Sequence, residues 1–293
     1  MALIQRGFLT GDGNRVPDYI KNGNSVLNKH SLQARGLVGR WTTFSGGGLT
    51  RRDLSEHGAP DAVPNDVTPN MTMALEGRFG ANVMTFPRTD TVNDHLTVAS
   101  EPFMGDNLPS TWLARCRVTD SSQARYGIIG RDVSFNVGMG LYFEGGATKE
   151  FRYFHGQWND TANSAAKNYD QWYDVVATTP GDTGTTRIYV DGVEEGTNAA
   201  IDENWWSADM SIGSVADSRI LTGAIAEVRW YDRVLNPSVI RAMSDPATIW
   251  DLDYETGRVL RVFMPAAPAG GFVPYPNPRY ALTGGMQSMD GGV

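Results

Sequence analysis

Short β-rich segments separated by clusters of glycine, aspartate, asparagine and proline run through most of this chain, from about residue 38 to 245. Thirty-three glycines and 15 prolines among 293 residues supply the turns. Almost no stretch repeats its apolar residues with the 3.6-residue period of a helix. Closely spaced short strands of this kind are typical of a sandwich or jelly roll. The sequence therefore predicts an all-β fold with two antiparallel sheets.

The clearest strand covers residues 111–118. Its alternation puts Arg115 and Arg117 on one face, as a half-buried strand requires, and apolar side chains on the other. Cys116, the single cysteine, lies on the apolar face and is interpreted as an inert small hydrophobe. The same reasoning predicts further strands at 81–87, 93–98, 126–131, 139–144, 150–155, 172–177, 187–190, 209–213 and 222–231.

Two local signals predict a tight turn and a helix. Asp191-Gly192 follows a predicted strand, and this dipeptide favours a two-residue hairpin because both turn residues need positive φ. Asn236-Pro237 predicts the start of a helix over 238–243, since asparagine often caps a helix and proline is common at its first position. Asp245-Pro246 ends that helix.

Two extensions flank the predicted sandwich. Residues 1–37 carry five basic and two acidic side chains with no sustained apolar period, and they predict an extended N-terminal arm. Residues 246–293 form a C-terminal extension that is rich in proline and glycine from 265 onward. This tail is too apolar for a solvated linker, so we expect it to lie on a partner surface through Phe272, Tyr275, Tyr280 and Leu282.

Composition excludes several classes of partner. A net charge of −8 argues against a nucleic-acid-binding surface, which needs a basic footprint. No apolar run approaches the roughly 20 residues of a membrane-spanning helix. The first residues lack the pattern of a secretory signal peptide. We therefore expect a protein made in a host cytoplasm.

Five segments together resemble the laminin-G-like, concanavalin A-like jelly roll. They are 36–41 (GLVGRW), 53–58 (DLSEHG), 171–177 (QWYDVVA), 187–192 (RIYVDG) and 223–235 (GAIAEVRWYDRVL). Their order and spacing are similar to that family from about 37 to 245. The resemblance implies a two-sheet jelly roll of the kind found in lectins, glucanases and phage virion proteins.

The resemblance also bears on metal binding. Calcium-binding members use carboxylates and carbonyl oxygens, as a hard cation requires. The family's aspartate in the closing strand is replaced here by Ala226. We therefore predict no cofactor, and Asp53 and Asp217 remain as the calcium candidates.

Related sandwiches include glycoside hydrolases, which need two carboxylates facing each other across the scissile bond. Glu227 in the predicted closing strand is followed by Arg229, and no strand carries the glutamate–aspartate–glutamate spacing of the sandwich glucanases. The four histidines show no metal-ligand spacing. The sequence thus predicts a non-enzyme.

Aromatic residues in turn-rich segments are the remaining functional signal. Trp158 lies among glycine, asparagine and aspartate, and Trp205 and Trp206 stand between Asn204 and Ser207. These rings could stack on sugars. Alternatively, they contact the core and a protein partner.

The combined prediction is a non-catalytic structural virion protein, a phage capsid decoration or other virion-surface component. It would be a trimer or dimer that binds capsid or other virion proteins through its arms. The alternative is a lectin-like module for a host or environmental polysaccharide, and a glycoside hydrolase ranks below both. No nucleic acid or membrane partner is expected.

Overall fold

The computed structural model describes residues 15–21, 25–44, 48–55, 57–65, 69–87, 94–100, 108–119, 122–134, 137–156, 161–181, 184–199, 209–215 and 219–255. These residues form two large antiparallel sheets and two short α-helices. The predicted all-β sandwich is confirmed. Neither described α-helix is long and apolar enough to cross a membrane.

The first sheet has seven strands. In spatial order they are β11 (Thr161–Asn163), β10 (Glu150–Gly156), β9 (Val137–Glu144), β8 (Arg125–Ser134), β15 (Met210–Ile212), β6 (Leu96–Val98) and β3 (Val63–Pro64).

The second sheet has eight strands, with β2 paired to β18 beside the main path. They are β14 (Val193–Asn198), β13 (Thr186–Val190), β12 (Trp172–Thr179), β7 (Ser110–Val118), β18 (Gly223–Tyr231), β5 (Ala81–Phe86), β4 (Thr72–Glu76) and β2 (Leu37–Thr42).

The main core fills the space between the two sheets. Trp112 lies at 4.6 Å from Trp230 and 5.9 Å from Tyr153 between ring centroids, which joins the two layers. Cys116 faces this core and is fully buried, as predicted. Burial, followed by the nearby charges of Asp174 and Asp191, raises the pKa of its thiol far above the usual range. The cysteine is therefore an unreactive core residue.

The outer face of the eight-stranded sheet is also buried. Helix α2 (Pro237–Ser244) packs there through Ile240 and Met243, and the segment after it adds Trp250 and Leu252. The strands are therefore covered on both sides. This corrects the prediction that Arg115 and Arg117 lie on a solvated face, since Arg115 is only 1% exposed and Arg117 is partly buried.

Residues from both predicted extensions take part in this covering. Helix α1 (Asp18–Lys21) and β1 (Ser25–Leu27) precede a 3-10 helix at Leu32–Ala34, and β1 pairs with β19 (Asp253–Glu255). Val16, Ile20 and Leu27 are buried. The division of the chain at 37 and 245 remains a prediction, but the described residues beyond both limits pack on the sheet rather than extend away from it.

The predicted hairpin and helix signals are confirmed. Asp191 and Gly192 have φ values of 51° and 80° and connect β13 to β14. The Asn236 side chain accepts a hydrogen bond from the backbone N–H of Ser238, and Pro237 occupies the first turn of α2.

Candidate functional site

The outer face of the seven-stranded sheet carries the candidate site, because the other sheet is covered. Alternation along β8, β9 and β10 sends Tyr126, Phe143 and Phe151 into the core and their strand neighbours outward. A short hairpin of β16 (Ser214–Val215) and β17 (Arg219–Ile220) lies over one part of this outer face. The rest we call the open face.

Close approach of that hairpin is allowed by glycine. A Cβ added to Gly127 would collide with the backbone of Val215 and Arg219. Val215 packs instead on Tyr142 and Phe154. The hairpin thereby borders the open face on one side.

Five residues, which we call the polar cluster, lie at the open face: four charged side chains on it and Tyr142 buried beside them at the hairpin. The strand register places Glu144 directly opposite Arg125 on β8 and opposite Glu150 on β10, and it places Tyr142 opposite Arg152. The charged members are partly exposed, with side-chain exposures of 17–30%. The polar cluster is therefore reachable from solvent.

Ion pairs hold the polar cluster together. Arg125 Nε donates to Glu144 Oε2 at 3.0 Å, and Arg152 Nε donates to Glu150 Oε1 at 2.8 Å. Arg152 Nη1 lies 3.5 Å from Glu144 Oε2 and so links the two carboxylates. The charges are fixed in place before any ligand arrives.

The electrostatics of Tyr142 and Arg152 are coupled. Burial raises the pKa of the Tyr142 hydroxyl, although its hydrogen bond with Arg152 acts in the opposite direction. Burial alone would lower the pKa of Arg152, but hydrogen bonds to Glu150 and Tyr142 outweigh it and raise that pKa. Both groups keep their protons at neutral pH, so the polar cluster presents guanidinium donors beside carboxylate acceptors.

The predicted tryptophan contacts Trp158, Trp205 and Trp206 lie outside the described residues. Described residues that border their segments can be placed. Gly156 precedes one segment, and Met210 follows the other. Gly156 on β10 pairs with Gly138 on β9, and Gly138 pairs with Asp132 near the end of β8. Strand β15 begins beside that end of β8. Gly156 and Met210 therefore lie at the same end of the seven-stranded sheet.

The tail contacts predicted at Phe272, Tyr275, Tyr280 and Leu282 also lie outside the described residues, as does the calcium candidate Asp217. Asp53 is described and has a clear role. Its carboxylate accepts hydrogen bonds from the backbone N–H groups of Arg40, Ser55 and Ala59 and from the Ser55 hydroxyl, at 2.8–3.1 Å. These bonds hold Ser55 and Ala59 beside β2. Within the described part of the chain, no three acidic, histidine or cysteine side chains gather as a metal site.

Sequence reasoning missed a buried ionic network on the covered sheet. Glu227 is fully buried and lies 2.7 Å from Arg40 Nε, 2.8 Å from Arg229 Nη2 and 3.4 Å from Arg115 Nη1. Burial alone would raise the pKa of Glu227, but the three guanidinium groups hold it well below its usual range. Glu227 is thus a structural anion.

The same network fastens distant segments to the sheet. Asp253 accepts two hydrogen bonds from Arg40, at 2.7 and 2.8 Å, and Arg229 donates to the Gln33 side chain at 2.9 Å. Arg115 donates to Asp174 on β12 and to the Met243 carbonyl of α2. The segments before β2 and after β18 are therefore held by charge as well as by apolar packing.

A cavity of about 560 Å³ adjoins this network. Its polar walls include Arg40, Asp53 and Asp253, whose side chains are engaged in the contacts just described, and the exposed Arg52 and Asp61. Three of the charged side chains that line the cavity, those of Arg40, Asp53 and Asp253, therefore already serve the fold. This leaves the polar cluster as the better candidate site.

Comparison with known proteins bears on the fold and on the family. A laminin-G-type family model, described as the concanavalin A-like lectin/glucanases superfamily, matches residues 90–241, just over half of the chain. The chain belongs to the concanavalin A-like lectin/glucanase superfamily. The resemblance predicted from the five sequence segments is confirmed at this level. No curated protein matches the sequence.

Solved structures of other superfamily-like sandwiches are similar in fold. Domain 4 of AbnA, a GH43 extracellular arabinanase from Geobacillus stearothermophilus, in complex with arabinotriose, has 13% identity and a TM-score of 0.53. The match covers 71% of this chain and 98% of that domain. Trypanosoma rangeli sialidase has 18% identity and a TM-score of 0.51 over 71% of this chain, but this chain spans only 32% of the sialidase. At these identities the likeness concerns the fold.

Proposed function

We propose that this protein is a non-catalytic carbohydrate-binding domain whose ligand lies on the open face, over the polar cluster. The observation that carries the proposal is the asymmetry of the sandwich. One outer face is sealed by α1, α2 and β1–β19, whereas the other presents partly exposed, pre-positioned charges. Membership of a lectin and glucanase superfamily supports a glycan as the ligand class.

The chemistry of the polar cluster suits sugar hydroxyl groups, each of which both donates and accepts hydrogen bonds. Arg125 and Arg152 offer donors, and Glu144 and Glu150 offer acceptors, within one small area. Charged partners make stronger hydrogen bonds than neutral ones. The relative with arabinotriose bound, AbnA domain 4, matches this chain over 98% of its own length, which supports a sandwich of this size binding an oligosaccharide.

The same geometry favours binding over hydrolysis. Glycoside hydrolysis requires one carboxyl group to act as a protonated general acid. Glu144 and Glu150 face each other, but each carboxylate is already bound in an ion pair with an arginine, Glu144 with Arg125 and Glu150 with Arg152. We therefore propose that neither residue is a catalytic acid.

Replacing Arg152 by alanine should weaken glycan binding by about 10- to 100-fold, because a hydrogen bond to a charged group contributes about 1.5–3 kcal/mol. A glycan array would first identify the ligand, and calorimetry would then measure the dissociation constant for each variant. Arg187→Ala is a matched control, since Arg187 forms an exposed ion pair with Glu194 on the other sheet. Equal affinities of Arg152→Ala and the unaltered protein would contradict the proposed site.

A second candidate function rests on the composition of residues 265–293. Five prolines, six glycines and only two charged side chains accompany Phe272, Tyr275, Tyr280 and Leu282. Ordering such a segment costs roughly 1–2 kcal/mol per residue, which a partner surface has to offset. This favours a structural role in an assembly such as a phage virion, with the tail bound to a capsid protein or a neighbouring subunit.

The assembly role predicts that a chain ending at residue 262 stays folded but loses attachment to its particle. Binding to purified particles can be measured by co-sedimentation, with circular dichroism as the test of folding. The four-alanine variant of Phe272, Tyr275, Tyr280 and Leu282 is a control of full length that should lose attachment to the same extent. Full attachment of either variant would remove the tail from the assembly role.

A further inference from the structure

Strand β4 forms one edge of the eight-stranded sheet. It pairs with β5 over Thr72–Glu76 without a register shift, and no described residue pairs with its other side. Leu75 is 76% exposed, and Thr72 and Ala74 are exposed as well. A straight edge with an apolar side chain on it is a template for pairing with another strand.

The edges at the opposite side of the sandwich are closed against each other. β14 carries Glu194 and Glu195, and its pairing with β13 shifts register at Glu195. Glu195 accepts hydrogen bonds from Lys167 Nζ and from the backbone N–H of Ala165, and Gly196 lies directly against the backbone of Asn163 on β11. Neither β14 nor β11 is therefore free to receive a strand.

The remaining edges are also protected. β3 has two residues, one of which is Pro64, and proline removes a backbone donor. β2 is covered by residues 53–54. The Leu54 N–H donates to the Arg40 carbonyl, and Asp53 forms an antiparallel β-bridge with Trp41. Among the described edge strands of the two large sheets, β4 alone has neither a charge in its middle, nor a proline, nor a bulge, nor a covering segment.

The turn after β4 indicates which backbone groups face outward. The Glu76 carbonyl accepts hydrogen bonds from the backbone N–H groups of Phe79 and Gly80, so the backbone of Glu76 faces β5. Backbone direction alternates along a strand. The N–H and C=O groups of Met73 and Leu75 therefore point toward the unpaired edge.

We propose that β4 pairs antiparallel with β4 of a second copy of this chain, centred on Ala74. In that register Met73 lies opposite the partner subunit's Leu75, so the two residues with outward backbone groups meet and exchange about four hydrogen bonds in all. Thr72 lies opposite the partner subunit's Glu76, which avoids any contact of like charges. A two-fold axis through Ala74 uses both edges and leaves none open.

A second copy fits this edge better than an unrelated strand, because the segment Thr72–Glu76 is complementary to itself. Shifting the two-fold centre to Met73 or to Leu75 would lose part of the apolar pairing and bring Met71, which is buried, or Gly77 into the contact. The centre at Ala74 uses all five residues. The pairing joins the two eight-stranded sheets into one.

Leu75→Lys tests the proposal on the full-length protein. The charge would lie in an apolar contact, so sedimentation equilibrium should show a dimer whose dissociation constant rises at least about tenfold in this variant. Val193→Lys is the matched control, since Val193 is also exposed on an edge strand of the same sheet and should leave the dissociation constant unchanged. Both substituted side chains are exposed, so folding is retained.

Disulfide trapping tests the register. Ala74 would face itself in a non-hydrogen-bonded pair, with a Cα–Cα distance of about 4.5 Å that suits a disulfide. Ala74→Cys should form a covalent dimer on mild oxidation at least about tenfold faster than Thr72→Cys, which would face glutamate. The natural Cys116 is buried and does not compete.

Three results would overturn the proposal. The first is a protein that stays monomeric at concentrations of about 100 μM, where even weak edge pairing is measurable. The second is a dimer that Leu75→Lys leaves intact, and the third is equal trapping of Ala74→Cys and Thr72→Cys. None of them depends on whether a glycan binds the open face.

Discussion

Glu227→Gln is expected to lower the free energy of unfolding by about 3–5 kcal/mol, the range measured when one partner of a buried ion pair is removed. The melting temperature should fall by about 10 °C, since a domain of this size loses roughly 2–4 °C per kcal/mol. Three arginines surround Glu227, and an amide would leave part of their charge uncompensated in the interior. Thermal melts followed by circular dichroism measure the effect.

Glu194→Gln is the control for that experiment, because the Glu194 side chain is 38% exposed in its ion pair with Arg187. It should change the melting temperature by less than about 2 °C. The pH dependence has a definite sign. Since the pKa of Glu227 is held below its usual range, its stabilisation is present at neutral pH and is lost only as the pH falls through that lowered pKa. A melting temperature of Glu227→Gln equal to that of the control would contradict the role of this anion.

A fragment limited to residues 38–245 should fail to fold cooperatively, whereas 15–255 should fold. The shorter fragment loses Val16, Ile20 and Leu27 on one side and Trp250 and Leu252 on the other, all of which bury the outer face of the eight-stranded sheet. Each large apolar side chain contributes about 1.5–3 kcal/mol when buried, so their combined loss is about as large as the usual stability of a domain.

Comparing the two fragments also tests how the buried ionic network attaches the flanking segments to the eight-stranded sheet. In 38–245 the buried Arg40 loses Asp253, and Arg229 loses Gln33. Thermal melts and amide chemical-shift dispersion would distinguish a folded from an unfolded fragment. Cooperative melting of 38–245 within a few degrees of 15–255 would mean that the flanking segments are dispensable.

The sequence predicted strands well where side chains alternate and failed where long-range contacts decide burial. Residues 111–118 were predicted as a strand, and the observed β7 differs by one residue. Arg115 was nevertheless placed on a solvated face. Its burial depends on Asp174 and on Met243, which the local pattern of β7 does not reveal.

The polar cluster illustrates the same limit. Strands at 139–144 and 150–155 were predicted, and the polar residues Glu144 and Glu150 stand at the two ends of the intervening turn. Their facing position follows from the β9–β10 register, which the strand pattern alone leaves undetermined when the turn is five residues long. Treating residues 145–149 as the turn of a hairpin would have placed Glu144 opposite Glu150 and so could have found the site. The proposed contacts at Trp158, Trp205 and Trp206 stay predictions.

The pairing of β1 with β19 has a mechanical consequence. Ser25 pairs with Glu255 at the outer end of this ribbon, and Leu27 pairs with Asp253 at its inner end. A pulling force applied to the two ends of the chain would load the ribbon one pair at a time, because the hydrogen bonds of antiparallel strands lie across the strand axis. The ribbon would peel first and release Asp253 from Arg40 while the sandwich behind it is still closed. Under tension, this ribbon is the point at which the fold begins to open.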